Sequence, residues 1–254
     1  MRVMSYNLRC WDDENGNRVS ERTPRVMGIL RDFAPDLIGF QEMTPKWEER
    51  LSPLEESYGK VIMYRSNESL EATPIYYKKD VFELTFSHSF WLSETPDVPS
   101  KGWGARYHRV CSIARLLHKE SGQHITYINT HFDFNPTFQR KSAELLCGMR
   151  DVIENDPIIC TADFNFTPES EAHSIMKSVY KDFREVADPG NMQGTMNNYS
   201  PDPEKHRLID FLFYNGEALS PSAYKVITRT YLGKFPSDHF PICCDFSLTT
   251  PTDN

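Results

Sequence analysis

Apolar residues in this chain gather into short runs that stop abruptly at a polar residue. Residues 3–8, 36–40, 60–64, 74–77, 81–92, 110–117, 124–129 and 157–160 read this way, as do 208–213, 224–230 and 240–248. Short apolar runs bounded by polar breaks are the pattern of strands. Between some of them the period changes to that of a helix. Val26, Ile29, Leu30 and Phe33 fall on one face, behind a start expected at Thr23-Pro24. Thr44-Pro45 opens a second, short helix, and residues 138–153 carry Leu145, Leu146, Met149, Val152 and Ile153 on one side of a third. Thr167-Pro168 is expected to cap a fourth, bearing Ala172, Ile175, Met176 and Val179. The polar stretch 185–206 is long enough to suggest a functional loop. Strands followed by helices in some places and by hairpins in others predict a mixed sheet system with helices outside.

No linker or shift of composition divides the 254 residues, so one domain over 1–254 is expected, with 249–254 as a loose tail. Net charge is −8, which argues against non-specific coating of nucleic acid, a process driven by phosphate neutralisation. None of the six cysteines stands in a C-x-x-C pair, so reduced structural thiols are expected. There is no G-x-S-x-G elbow and no phosphate-binding G-x-x-x-x-G-K-[ST] loop. No apolar run suffices to span a membrane, and residues 1–6 read as a strand, not a leader, so a cytoplasmic monomer is the expectation.

The strand ends carry the candidate chemistry: Asn7, Glu42, His131, Asp163 with Asn165, Asp210, and Asp238 with His239. Taken singly, each has an ordinary explanation, since Asp and Asn close turns and a histidine can sit satisfied in a core. Asp210 stands out, because an acid inside an apolar strand must be hydrated or paired. Eight such residues at six run ends fit turn formation poorly.

Ser5-Tyr6-Asn7-Leu8-Arg9, Gly39-Phe40-Gln41-Glu42, Asn129-Thr130-His131-Phe132-Asp133, Thr161-Ala162-Asp163-Phe164-Asn165, Ile209-Asp210-Phe211 and Ser237-Asp238-His239-Phe240-Pro241 occur in this order. Together they resemble the endonuclease/exonuclease/phosphatase family, the metal-dependent phosphoesterases related to deoxyribonuclease I. The resemblance implies a four-layer α/β sandwich, two packed mixed sheets flanked by helices, with the strand ends forming one cleft. It implies Mg²⁺ (Mn²⁺ as a substitute) held by Glu42 with Asn7 and Asp238, and water as the nucleophile. It implies that Asp163 activates that water and Asn165 holds it or a phosphoryl oxygen. His239 would bind the phosphate with Asp210 behind it, and His131 would meet the same phosphate from the other side. Glu71 matches an acid that pairs with the histidine at 131, and Arg109 an arginine that meets substrate phosphate.

Arg9 and His131 depart from the pattern of abasic-site endonucleases and point to the branch that holds deadenylases, sphingomyelinases and many bacterial hydrolases. Residues 90–96 with Gly102-Trp103 resemble a bacterial subgroup, in which Trp91 and Trp103 either stack on a base or sugar or pack the core. The substrate expected is a small or single-stranded phosphate ester. A nuclease using Arg9, Arg18, Arg22, Lys101, Arg106 and Arg109 as a basic patch is the alternative, and a binding module on the same fold is a third reading.

Overall fold

The computed structural model describes residues 1–153 and 156–249. Among the described residues, twelve strands form two six-stranded sheets. The first holds β1 (Arg2–Asn7), β2 (Leu37–Gln41), β3 (Tyr58–Val61), β4 (Ile75–Lys78), β11 (Leu219–Val226) and β12 (Ile242–Leu248), in the order β11-β12-β1-β2-β4-β3. The second holds β5 (Phe82–Trp91), β6 (Val110–His118), β7 (His124–His131), β8 (Ile158–Asp163), β9 (Lys181–Asp182) and β10 (Asp210–Asn215), in the order β5-β6-β7-β8-β10-β9. Both sheets are mixed: β1–β2 and β7–β8 pair in parallel, their neighbours antiparallel.

Helices α1 (Val19–Phe33) and α2 (Pro45–Leu51) cover the outer face of the first sheet. Helices α3 (Pro136–Val152) and α4 (Glu171–Val179) cover the outer face of the second, and α5 (Phe183–Ala187) is a short turn beside β10. The result is a four-layer α/β sandwich with three apolar layers. The middle layer, between the sheets, holds Val3, Leu37, Ile125, Ile159 and Leu212. The alternation of a strand explains the partition: Met4 and Tyr6 of β1 turn to α1, while Val3 turns to the second sheet. With both faces buried, the strands read as continuous apolar runs.

Several boundaries differ from expectation. Helix α1 begins at Val19, not at Thr23, and carries Pro24 inside it. Its start is fixed by Glu21, whose carboxylate accepts from the Arg18 N–H at 3.0 Å, and by Asp12, which accepts from the Val19 N–H at 2.7 Å. Helix α4 is capped by Ser170, three residues after Thr167, through a 3.0 Å bond from the His173 N–H. The region 185–206 is not structureless: its first residues belong to α5, and Thr195 and Asn197 are fully buried. Strand β10 begins at Asp210, so that acid stands at a strand end and not in the middle of one. Of the expected tail, Thr249 bonds to the Ala218 carbonyl at 2.8 Å, and residues 250–254 lie outside the described residues. All six cysteines are free thiols. Among the described residues no helix is long and apolar enough to cross a membrane.

Candidate active site

The inward-facing residues at one end of the middle layer form a polar constellation. Alternation along β1, β7, β8 and β10 places Asn7, His131, Asp163 and Asp210 on the inter-sheet face, where Leu37, Ile125 and Ile159 lie further along the same layer. Asp163 is its centre. Its Oδ2 accepts from Asn7 Nδ2 at 2.9 Å and lies 3.5 Å from His131 Nε2 and 3.7 Å from His239 Nε2. Its Oδ1 accepts from the Asn165 N–H at 3.0 Å, which turns the chain sharply after β8. The same two-residue turn closes β1, where Asn7 Oδ1 accepts from the Arg9 N–H at 2.9 Å.

Those turns require unusual backbone. Arg9 has φ +58°, Glu42 +58° and Asn165 +54°, the left-handed region that side chains other than Gly, Asn and Asp seldom occupy. Arg9 and Glu42, neither of them Gly, Asn or Asp, mark stored strain held by surrounding structure.

His239 Nδ1 bonds Asp210 Oδ2 at 2.9 Å, and the same oxygen accepts from Thr195 Oγ1 at 2.5 Å. Burial works against the imidazolium, but Asp210 and Asp163 outweigh it and raise the His239 pKa well above its ordinary value. His131 goes the other way: burial, then the charges of Arg109 and Arg65, hold it neutral, its pKa well below the ordinary value. Asn165 Nδ2, 3.1 Å from His131 Nε2, can only donate, so Nε2 accepts and the ring proton sits on Nδ1. Burial and the neighbouring Asp210 push the Asp163 carboxyl up to about 7.

Glu42 is buried beside this group. Oε1 accepts from Asn7 Nδ2 at 3.1 Å and Oε2 from the Cys10 N–H at 2.8 Å. Burial acts to raise its pKa, but the Cys10 hydrogen bonds and the charge of His239 leave it below the ordinary value. Asp238 is raised by burial, with His239 opposing and Glu42 adding; Arg9 approaches it at 3.6 Å. The carboxylates of Glu42 and Asp238, with the amide of Asn7 beside Glu42, offer a hard, all-oxygen donor set suited to a Mg²⁺-type cation. As it stands, Asn7 offers amide protons to the acids, so ligation through its oxygen requires the amide to turn over. Asp163, Asp210 and His239 also bring ligand atoms within 4.8 Å of one another, but in this arrangement the imidazole is engaged with Asp210.

The structure brings Glu71 to the same end of the layer, with a different partner from the one expected. Its carboxylate takes Arg65 at 2.6 Å, while His131 Nδ1 stands at 3.8 Å, beyond a hydrogen bond. Arg109 is buried between Glu71 (3.8 Å) and Asp133 (3.7 Å) and lies over the Tyr107 ring. Of the local basic patch in the alternative reading, Arg106 and Arg109 lie over the Tyr107 ring, and two other members are engaged within the protein. Arg22 is fully buried, with its guanidinium on the carbonyls of Leu8, Arg9 and Trp11, and Arg9 is paired with Asp13. Trp103 packs on Phe138 at 5.9 Å, and the Trp91 indole donates to the Arg65 carbonyl at 2.7 Å. Sequence reading missed Thr195, Arg65 and the Cys10 N–H. Thr195 and Arg65 sit in loops with no periodicity, and a backbone donor carries no residue signal.

Fold and site together define an α/β sandwich with an acid–amide–histidine cleft of the kind that handles phosphate esters. The sequence pattern of the endonuclease/exonuclease/phosphatase family matches residues 4–239, and the chain belongs to that family. A protein of the same family from Bacteroides thetaiotaomicron superposes with a TM-score of 0.90 at 28% identity, covering 98% of each chain. A mannosyl-6-phosphatase of Bacteroides thetaiotaomicron VPI-5482 superposes at 0.88 with 30% identity, covering 98% of this chain and 100% of that one. The 3'-5'-exoribonuclease subunit Ccr4 of the CCR4-Not complex of Kluyveromyces lactis is 23% identical over 90% of this chain, which spans only 37% of Ccr4.

Proposed function

We propose that this chain is a Mg²⁺-dependent phosphoesterase that hydrolyses a phosphomonoester or phosphodiester by attack of water. The observation that carries the reading is the position of Asp163 Oδ2: 2.9 Å from Asn7, which also holds Glu42, and within 3.7 Å of both histidines. One carboxylate of the second sheet thereby stands between Asn7, Glu42 and His239, carried by the first sheet's side, and His131 on the second.

Glu42 and Asp238, with Asn7 turned over, hold the cation. Bound there, the cation would supply Lewis-acid stabilisation of charge on the phosphoryl group and the leaving oxygen. Asp163 takes the proton of the attacking water, with a pKa of about 7 that suits a general base near neutrality. Cationic His239, held by Asp210 and Thr195, receives the phosphoryl charge that develops in the transition state. Asn165 fixes the neutral His131 ring and, on releasing one of its two Nδ2 contacts, would hold the water or a phosphoryl oxygen, while Arg109 supports the phosphate side and Glu71 supports Arg65.

Similarity to a mannosyl-6-phosphatase favours a small phosphate ester, in line with the acidic surface. Similarity to Ccr4 along most of the chain favours RNA as the second reading. A cytoplasmic monomer acting on either substrate fits both. The test is Mg²⁺-dependent hydrolysis of p-nitrophenyl phosphate, bis-p-nitrophenyl phosphate, sugar phosphates and single-stranded RNA by wild type, Asp163→Ala and His239→Ala. Each variant is expected to abolish turnover, and activity surviving in both rejects the assignment. The preferred substrate separates the phosphatase from the nuclease.

A further inference from the structure

Beneath the active-site residues, one step deeper along the same strands, lies a buried polar layer that touches no reacting atom. Asn129 is its centre and is fully buried. Its Nδ2 donates to the carbonyls of Phe40 at 2.7 Å and Pro74 at 2.9 Å, both belonging to the first sheet's side of the layer. Its Oδ1 accepts from Gln41 Nε2 at 2.8 Å and from Thr161 Oγ1 at 3.0 Å. All four hydrogen-bonding capacities of the amide are filled, and three of them cross from one sheet to the other.

Gly39 makes the approach feasible. A β-carbon there would lie 2.2 Å from Thr161 Oγ1 and 2.4 Å from Asn129 Oδ1. Each member of the bridge is a near neighbour of a functional residue. Gln41 precedes Glu42, Asn129 is two residues before His131 on the same face of β7, and Thr161 is two before Asp163 on β8. Further from the cleft the layer between the sheets is filled mostly by apolar side chains such as Leu37 and Ile159. Dispersion contacts tolerate sliding, whereas hydrogen bonds are directional and costly to leave unmade in a core.

We infer that Asn129 is a positioning residue: its bridge sets the spacing between Asn7, Glu42, Asp238 and His239, carried by the first sheet and the segments joining its strands, and Asp163, Asn165 and His131 on the second. The inference rests on the phosphoesterase reading above. It accounts for a fully satisfied polar knot in a layer that apolar residues would fill equally well, since a shift of about 1 Å between reacting groups can lower a rate about 100-fold.

The test compares Asn129→Leu with Tyr180→Phe, which removes a buried 2.8 Å hydrogen bond to the Leu146 carbonyl far from the cleft. For folded Asn129→Leu, kcat is expected to fall about 30- to 100-fold while KM and the Mn²⁺ dissociation constant stay within about 3-fold, because each half of the site keeps its own residues. Tyr180→Phe should keep kcat within about 2-fold, a mere stability effect being common to both variants. Broadening of the His131 imidazole proton resonances by Mn²⁺, which falls steeply with distance, should change in Asn129→Leu and not in Tyr180→Phe. If Asn129→Leu does not fold, Gln41→Met and Thr161→Val each remove part of the bridge and should show the same split at smaller size. Unchanged kcat with unchanged broadening overturns the inference, as does an equal loss of kcat in the Tyr180 control. Absence of any Mg²⁺-dependent turnover in wild type rejects the phosphoesterase reading instead, and the broadening then decides the spacing by itself.

Discussion

Asp210→Asn isolates one charge. Both hydrogen bonds, from His239 Nδ1 at 2.9 Å and Thr195 Oγ1 at 2.5 Å, converge on a single oxygen, Oδ2. An asparagine that presents its carbonyl there keeps both bonds and loses only the charge. The two side chains are 4% and 3% exposed, so solvent screening is slight. Two unit charges at about 4 Å in an effective dielectric of about 20 interact by about 4 kcal/mol, an upper bound for what the imidazolium loses. About 3 kcal/mol in the transition state corresponds to a fall of about 100-fold in kcat/KM. The same substitution lowers the His239 pKa, whose rise is owed first to Asp210 and then to Asp163. The assay is kcat/KM for bis-p-nitrophenyl phosphate from pH 6 to 10 in wild type and variant, roughly the range over which a histidine raised above its ordinary value loses its proton. In wild type the alkaline limb lies well above the ordinary histidine range; in Asp210→Asn it moves to lower pH as the overall rate drops. A variant within about 3-fold of wild type with an unmoved limb would refute the role given to the pair.

Three further outcomes are expected. With Asp163 as base, activity falls as pH drops through about 7, and raising Mg²⁺ should move that acid limb lower, because a nearby cation favours the carboxylate; pH–rate profiles at two Mg²⁺ concentrations check it. Glu42→Gln should raise the Mn²⁺ concentration needed for half-maximal activity by about 10-fold or more with an unchanged circular dichroism spectrum, since a hard cation loses an anionic ligand. Arg65→Met strands Glu71, whose pKa burial already raises, and should destabilise the fold by about 3–5 kcal/mol in urea titrations, whereas Arg65→Met with Glu71→Gln should recover most of that loss.

The legible part of the site was the part written at strand ends. Asn7, Glu42, His131, Asp163 and Asp238 each interrupt an apolar run, and an interruption is visible without knowing which face it lies on. What stayed hidden depended on faces. In β10, Phe211 and Phe213 pack under α3 and α4 while Leu212 and Tyr214 pack between the sheets, so both faces are apolar and the period of two vanishes. Asp210 then looked like an acid inside a strand when it opens one. The same loss of period concealed the Asn129 bridge. Ser5, Gly39, Gln41, Asn129 and Thr161 occur in four of the six motifs, but nothing in their spacing says that they share one level of the middle layer. Once the register is known, the layer reads as a gradient. Leu37, Ile125 and Ile159 come first, then the neutral polar level of Gly39, Gln41, Asn129 and Thr161, and last the acids and histidines. Such a gradient has a physical reason. Charges at the cleft need rigid support, yet a charge one level deeper would be desolvated without a partner, and an apolar residue there would give no direction. Neutral amides and hydroxyls that saturate one another meet both demands, so the level below the chemistry is where this fold sets the register of its two sheets.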